Sequence, residues 1–380
     1  MNRAGSIKRE GDTWFFVVDV GNGAGQRRQV RKRGFATKRE ARAALTEALG
    51  ELQRGTYVRP QRITVAAYLD DWLASRTTVG LRPSTIAGYH NIIRRHVRPV
   101  LGDVFLQDLM PQDLDRLYAD LLAGKRSGRP LARRTVRYIH TVLGKALRDA
   151  VRTDLIARNV ARRATPPSAA SARSPEMSVW TPDELREFLE VSAGSHHAAM
   201  LRVAALTGLR RSELCGLRWQ DVDLTALRLV VRQAITTADH VPVAGETKTT
   251  RSRRPVDLDA TTAAVLRAHR KCQREERLLL GPGWRDSGLV FTMPDGSAWH
   301  PDVITRAFAR LVERSGLPRI RLHDLRHTHA THLLAAGINV RVVSERLGHA
   351  STAFTLDVYG HVLPGQQADA AAAAAALVDR

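Results

Sequence analysis

The sequence predicts a mainly α fold with small β elements (α+β), and three observations carry that expectation. Apolar residues recur at helical spacing over most of the chain, whereas β-type patterning is confined to one stretch near the start and one near the middle. A Pro-, Ser-, Ala- and Arg-rich stretch without periodicity, residues 159–178, separates two helical regions and reads as a linker. The chain has 380 residues, 43% hydrophobic and 26% charged. At roughly 100–200 residues per domain this gives two or three folded domains.

In chain order, Trp14-Phe15-Phe16-Val17-Val18-Asp19-Val20 is aromatic and β-branched, and a glycine-rich turn at 21–25 leads to a second strand over 26–35. Thr37 and Glu40 form a capping box, and Ala41, Ala44, Leu45, Ala48, Leu49 and Leu52 continue at helical spacing. A small sheet plus one helix therefore fills residues 1–58. Four helical patterns follow over 63–158, marked by Tyr68, Leu69 and Trp72, then Ile86, Tyr89, Ile93 and Val97, then Leu114, Leu117 and Leu121, then Val136, Ile139, Leu143 and Leu147. After the linker, Thr181-Pro182-Asp183-Glu184 starts a third domain, 179–365, with an N-cap, a proline at the first helical position and a capping-box acid. This domain is mainly helical with a β-hairpin insert, in which residues 228–233 and 255–258 are strands and 240–250 a polar turn. Residues 366–380 form a tail whose alanine run, Ala370 to Ala376, needs a packing partner to stay helical.

Charge narrows the partner. With 59 Lys plus Arg against 38 Asp plus Glu, the formal charge is +21, which points to a polyanion. Cys215 and Cys272 are too few for a disulfide framework, which fits a reducing compartment. No stretch approaches the roughly 18 apolar residues of a membrane span, and Met1 to Glu10 is charged rather than signal-like. A cytoplasmic, nucleoid-associated protein of a bacterial host is expected. Only seven basic residues are lysine, at 8, 32, 38, 125, 145, 248 and 271, so lysine is the exception in an arginine-biased chain.

Four segments can carry chemistry. In Arg321-Leu322-His323-Asp324-Leu325-Arg326-His327, helical spacing places His323 and Arg326 on one face, where an imidazole and a guanidinium can reach one phosphate. The same segment imitates a two-histidine zinc helix. Arg326, which keeps its proton, sits within one turn of both histidines and opposes a dication there. Upstream, Thr207-Gly208-Leu209-Arg210 places Arg210 at a helix junction, with Glu213 three residues on to orient it. Downstream come Leu347-Gly348-His349 and, ten residues later, Tyr359, a residue whose type is more often core than catalytic when taken alone.

Arg210, His323-x-x-Arg326, Gly348-His349 and Tyr359, in this order, closely resemble the tyrosine recombinases, the phage-integrase family of site-specific DNA recombinases. The resemblance covers the whole of 179–365, and the two preceding units match the family's arm-binding and helical, SAM-like core-binding domains in order and size. It implies that Tyr359 attacks a phosphodiester to leave a 3′-phosphotyrosine and a free 5′-hydroxyl. Arg210 and Arg326 would bind the non-bridging oxygens, so no metal or other cofactor is required. By the same resemblance His323 assists proton transfer and His349 donates a hydrogen bond to the phosphate. The general acid would be Lys248, which stands between the two strands of the insert where this chain would ordinarily write arginine, and an ammonium can release its proton.

The implied partners are two sites of double-stranded DNA, joined through a Holliday junction by a homotetramer, with a directionality factor and a host DNA-bending protein as possible accessories. The run Arg27, Arg28, Arg31, Lys32 and Arg33 would meet DNA from the N-terminal sheet, because strand alternation leaves both faces of that strand basic. Arg94, Arg95, Arg133, Arg134 and Arg137 would add phosphate contacts from the helical domain. The expected function is integration and excision of a phage or mobile element. The alternatives are a catalytically silent DNA-binding regulator of the same fold, a Xer-type resolvase, which would lack the first 58 residues, and a metal-dependent nuclease.

Overall fold

Thr37 and Thr181, the two caps read from sequence, each start a helix in the computed structural model, which describes residues 5–20, 29–54, 57–59, 61–125, 128–173, 177–238, 241–246, 253–360, 371, 372, 374–376 and 378. The chain divides into two units, Met1–Ser174 and Pro175–Arg380.

In the first unit, β1 (Ser6–Glu10), β2 (Thr13–Asp19) and β3 (Gln29–Phe35) form an antiparallel sheet in chain order, and α1 (Lys38–Gln53) packs on it. The Thr37 hydroxyl accepts from the Glu40 amide at 3.2 Å, which satisfies one of the free amides of the first turn. Phe16 and Val18 bury against Leu45 and Ala48 of α1. Register places Lys8, Phe15, Val17 and Arg31 together on the opposite face. The glycine-rich turn at 21–25 lies outside the described residues.

Four helical rods follow. They are α2 (Val65–Thr78), α3 (Pro83–Ile92) continued through a π-type turn at Ile93–Val97 into α4 (Arg98–Leu101), α5 (Pro111–Leu122) and α6 (Arg133–Arg152). Pro99 has no N–H to give to the preceding turn, which accounts for the altered pitch there. Trp72 donates to Asp149 at 2.8 Å and Arg76 pairs with the same carboxylate at 2.9 Å, tying α2 to α6.

The linker expected over 159–178 is not loose at its start. Val160 and Ala161 are buried in the helical core, Asn159 donates to the Gly144 carbonyl at 2.9 Å, and Arg137 donates to the Pro167 carbonyl at 2.8 Å. Two small apolar residues among arginines gave no periodic signal, yet they suffice to dock the segment.

The second unit begins with α7 (Pro182–Ser192), α8 (Ala198–Thr207) and α9 (Arg211–Cys215). The short strands β4 (Val222–Asp223) and β5 (Arg228–Val231) come next, then a hairpin of β6 (Gln233–Ala238) and β7 (Val241–Glu246), and then β8 (Arg254–Asp257). Strand β5 pairs antiparallel with β8, as the sequence suggested, but 241–246 is a strand rather than a polar turn. Ile235, 3% exposed, anchors this hairpin, and Pro242 is tolerated because β7 pairs on one side only. Helices α10 (Ala260–Leu280), α11 (Pro301–Ser315), α12 (Asp324–Ala335), α13 (Val340–Leu347) and α14 (Thr352–Tyr359) complete the unit.

Its main core gathers Trp180, Phe188 and Phe308 with their ring centroids 4.8–6.0 Å apart. A separate small core joins α12, α13 and α14 through Ala330, Leu334, Val343, Leu347 and Tyr359. The described residues of the C-terminal alanine run are helical and exposed. Among the described residues, no helix is long and apolar enough to cross a membrane.

Candidate active site

Two helix ends build the site. Helix α8 stops at Gly208 (φ 64°) and α13 at Gly348 (φ 67°), both left-handed, the conformation that glycine adopts at little cost. A Cβ at Gly208 would lie 2.5 Å from Leu347 and 2.9 Å from His329, so space as well as backbone excludes a side chain there.

The last carbonyls of a helix have no partner within it and carry the negative end of its dipole. At the end of α13 three successive carbonyls each accept from a different arginine. The Arg346 carbonyl takes Nε of Arg254 at 2.6 Å, that of Leu347 takes Nη2 of Arg326 at 2.7 Å, and that of Gly348 takes Nη2 of Arg210 at 3.1 Å. The second terminal nitrogen of Arg326 donates to the Gly208 carbonyl at 2.7 Å, which joins the two helix ends.

Glu213 balances these cations. Its carboxylate accepts from the Arg210 amide at 2.9 Å and guanidinium at 2.8 Å, and from both terminal nitrogens of Arg254 at 3.1 and 3.0 Å. Burial alone would raise its pKa, but the bonds from Arg254 and the charge of Arg210 outweigh that and bring it to about 2. Burial and the neighbouring Arg210 lower Arg326 to about 9, so it still carries its charge at neutral pH.

Tyr359 ends α14 and is 1% exposed. Its hydroxyl lies 2.7 Å from Nδ1 of His327, and its ring stacks at 6.3 Å on that of His349. Burial raises the phenol to about 12 against the opposing charge of Arg326. His349 has its Nδ1 2.8 Å from the Thr355 hydroxyl, and burial, Arg326 and Arg210 lower it to about 3. His327 is lowered to about 4 by burial and then by His323, whose ring meets it edge-on at 5.1 Å. His323 itself stands at the N-cap of α12 with an exposed side chain, and partial burial and Arg326 lower its pKa. Arg254, Gly348 and His349 line an open hollow of about 590 Å³.

The structure thus brings Arg210, Glu213, His323, Arg326, His349 and Tyr359 into one cluster. Lys248 lies outside the described residues, as do Arg27 and Arg28. Arg31, Lys32 and Arg33 are exposed on β3, with the Arg31 guanidinium 4.4 Å from the Phe15 ring and Arg33 paired to Glu10 at 3.3 Å. Arg94, Arg95, Arg133 and Arg134 are exposed, whereas Arg137 is half-buried in its bond to Pro167. The zinc-like histidine pair is otherwise engaged, since His327 meets Tyr359 and Asp324 holds Arg321 at 2.7 and 2.9 Å. Among the described residues, no cluster of three His, Cys, Asp or Glu could hold a metal.

Two members of the cluster escaped the sequence reading. Arg254 is one of three arginines within four residues of an arginine-rich chain, and the β5–β8 pairing delivers it to Glu213. His327 was visible only as half of a zinc-like motif.

Comparisons with known proteins bear on the family and the fold. Residues 178–365 match the phage integrase family, 6–52 an arm DNA-binding domain, and 64–122 the N-terminal SAM-like domain of phage integrases. An integrase of Streptomyces ambofaciens is 31% identical over 91% of this chain and 88% of its own length. A XerC-like tyrosine recombinase of Caldanaerobacter subterraneus is 26% identical over 90% of each chain. Among solved structures, the Tn1549 transposon integrase in complex with transposon right end DNA superimposes with a TM-score of 0.65, at 21% identity over 78% of this chain and 95% of that one. A lambda integrase dimer bound to a core site gives 0.57 at 18% identity over 92% and 93%. With its motifs in order, its fold shared and its relatives matched over nearly their whole length, the chain belongs to the phage integrase family of tyrosine recombinases.

Proposed function

We propose that this tyrosine recombinase integrates and excises a phage or mobile element by cleaving and rejoining DNA through a 3′-phosphotyrosine at Tyr359. The observation that carries the reading is the set of three arginines on the terminal carbonyls of α13, the helix whose Leu347 shares a small core with Tyr359, with Arg326 near enough to the phenol to bias its ionisation. A guanidinium has five N–H donors. Arg210 and Arg326 each commit two terminal N–H groups to protein acceptors, leaving others for the non-bridging oxygens of a phosphate. Held in advance by carbonyls and by Glu213, these donors stabilise the charge that develops at phosphorus without reorganising.

In this reading His349 donates to the phosphate, His323 contributes to proton transfer near it, and Lys248 protonates the departing 5′-oxygen. The covalent link conserves the phosphodiester bond energy, so the strands rejoin without a nucleotide cofactor. Because Tyr359 is buried in the free protein, DNA binding has to open a path for the phosphate to its hydroxyl before attack, with the His327 contact retained. The arm-type domain favours an element integrase over a Xer-type resolvase, and Lys8, Arg31, Lys32 and Arg33 on its sheet would contact DNA. Two double-stranded sites held by a homotetramer, with accessory directionality and bending factors, complete the assignment in a bacterial cytoplasm.

A pool of nicked duplexes of randomised sequence tests this. After denaturation in detergent, DNA that stays attached to the protein is sequenced, which identifies the site and the attached end. Attachment through a 3′ end that disappears in Tyr359→Phe supports the reading. DNA binding without any attachment favours the silent regulator, and cleavage abolished by a chelator favours the nuclease.

A further inference from the structure

We propose that His327 is the general base that takes the phenolic proton from Tyr359 as it attacks phosphorus, a role that rests on Tyr359 being the nucleophile. The geometry is direct. Nδ1 of His327 lies 2.7 Å from the Tyr359 hydroxyl, with the two rings 5.6 Å apart at 50°. Both side chains belong to the junction of α12 and α14, where Ala330, Leu334 and Leu347 are buried, so packing holds the contact. In the tautomer with its hydrogen on Nε2, the imidazole accepts at Nδ1 and the phenol donates.

His323 is the other imidazole at hand. Its side chain is exposed at the helix N-cap, and its ring approaches the edge of His327 rather than the phenol. That division leaves His323 on the substrate side and His327 on the nucleophile.

The groups around His327 are His323, Asp324 and Arg326 on its own helix, Arg321 just before it, Tyr359 on α14 and His349 ahead of α14. In the free protein burial, then His323, Arg326 and Arg321, keep the imidazole neutral against the opposing charge of Asp324, and the proton stays on the phenol. A bound phosphodiester adds negative charge beside Arg326, which raises the imidazole's proton affinity, and bond formation at phosphorus lowers that of the phenol. The step balances. The O–H bond of Tyr359 breaks and its proton passes to Nδ1 while the phenolic oxygen bonds phosphorus. The bond to the 5′-oxygen breaks, and that oxygen takes its proton from Lys248. Rejoining reverses both transfers.

Single-turnover cleavage at saturating protein, on the site captured above, separates the two ends of the reaction. The site is synthesised with either oxygen or sulfur at the 5′-bridging position, because a thiolate departs without an acid. His327→Asn keeps an amide near the Nδ1 position but cannot take the proton, and His327→Ala serves as a second variant. Both are expected to cleave about 10²–10⁴-fold more slowly than the native protein, equally on oxygen and on sulfur. Lys248→Ala, by contrast, is slow on oxygen alone. On sulfur the rate of His327→Asn should rise about tenfold per pH unit toward the phenol's own ionisation, whereas the native rate levels off once His327 is neutral. Native-like or faster cleavage by His327→Asn overturns the proposal, the faster result identifying the contact as a resting latch. So does a defect that sulfur removes. Failure of the native protein to capture DNA at all would overturn the recombinase chemistry itself, whereas native capture with unaffected His327 variants overturns only the base assignment.

Discussion

Arg326 in the C-terminal unit is 3% exposed and gives both ends of its guanidinium to carbonyls, whereas Arg31 in the N-terminal sheet is exposed and lies against the Phe15 ring. The first cation is fixed before any ligand arrives. The second keeps its guanidinium available to a partner across solvent. A buried cation costs several kcal/mol in desolvation unless dipoles and counter-charge replace water, and here two helix ends and Glu213 supply them. An exposed one costs little, and its contribution is screened by salt. The contrast teaches that net charge points to the partner, while burial with fixed acceptors marks the groups proposed to act on a single phosphorus.

The largest effect tests that contrast at its counter-charge. Glu213→Ala removes the carboxylate that takes both terminal nitrogens of Arg254, 5% exposed, and loss of one member of a buried pair costs about 3–5 kcal/mol. Chemical denaturation should show this loss, and a change no larger than that of an exposed pair such as Arg228 with Asp257 would break the comparison.

Next in size, Arg326→Ala should slow cleavage about 10²–10³-fold while DNA affinity, read by gel shift, changes far less. Equal losses in both assays contradict a role in the transition state.

Acid separates the two regions further. His327 and His349 are held near about 4 and about 3 by burial, against 6.5 for an ordinary histidine. Their folded values are depressed, so the stability they confer is complete above 6.5 and is lost as pH falls from 6.5 toward 4 and 3, where the unfolded chain binds protons that the folded one refuses. Residues 1–58 contain no histidine. Hydrogen exchange, corrected for its intrinsic pH dependence, should show α12–α14 losing protection between pH 7 and 5 and β1–β3 keeping theirs; equal losses would refute the assignment.

The smallest effect belongs to the exposed cations. Arg31→Ala should weaken DNA binding about equally across sequences and lower the salt slope by about 1. An unchanged slope in a salt titration removes Arg31 from the interface.

How much of this was legible depended on how local the cause was. Thr37 with Glu40, Thr181 with Glu184, and Arg210 with Glu213 are contacts three residues apart, and each appears where the sequence put it. The Tyr359 position was legible only through its company, because a tyrosine ending a short helix carries no chemical signature alone. Strand β7 was missed because Pro242 and Gly245 read as turn, while its pairing with β6 and the burial of Ile235 decide otherwise. Arg254 was missed because its value comes from a partner 41 residues away. The docking of Val160 and Ala161 was missed because two apolar residues make no period.

The most direct test of the site is the structure of the protein on its captured DNA with vanadate in place of the scissile phosphate. The account predicts vanadium bonded to the phenolic oxygen of Tyr359, with guanidinium donors of Arg210 and Arg326 on its equatorial oxygens. Vanadate bound to any other nucleophile, or held without those two arginines, would contradict it.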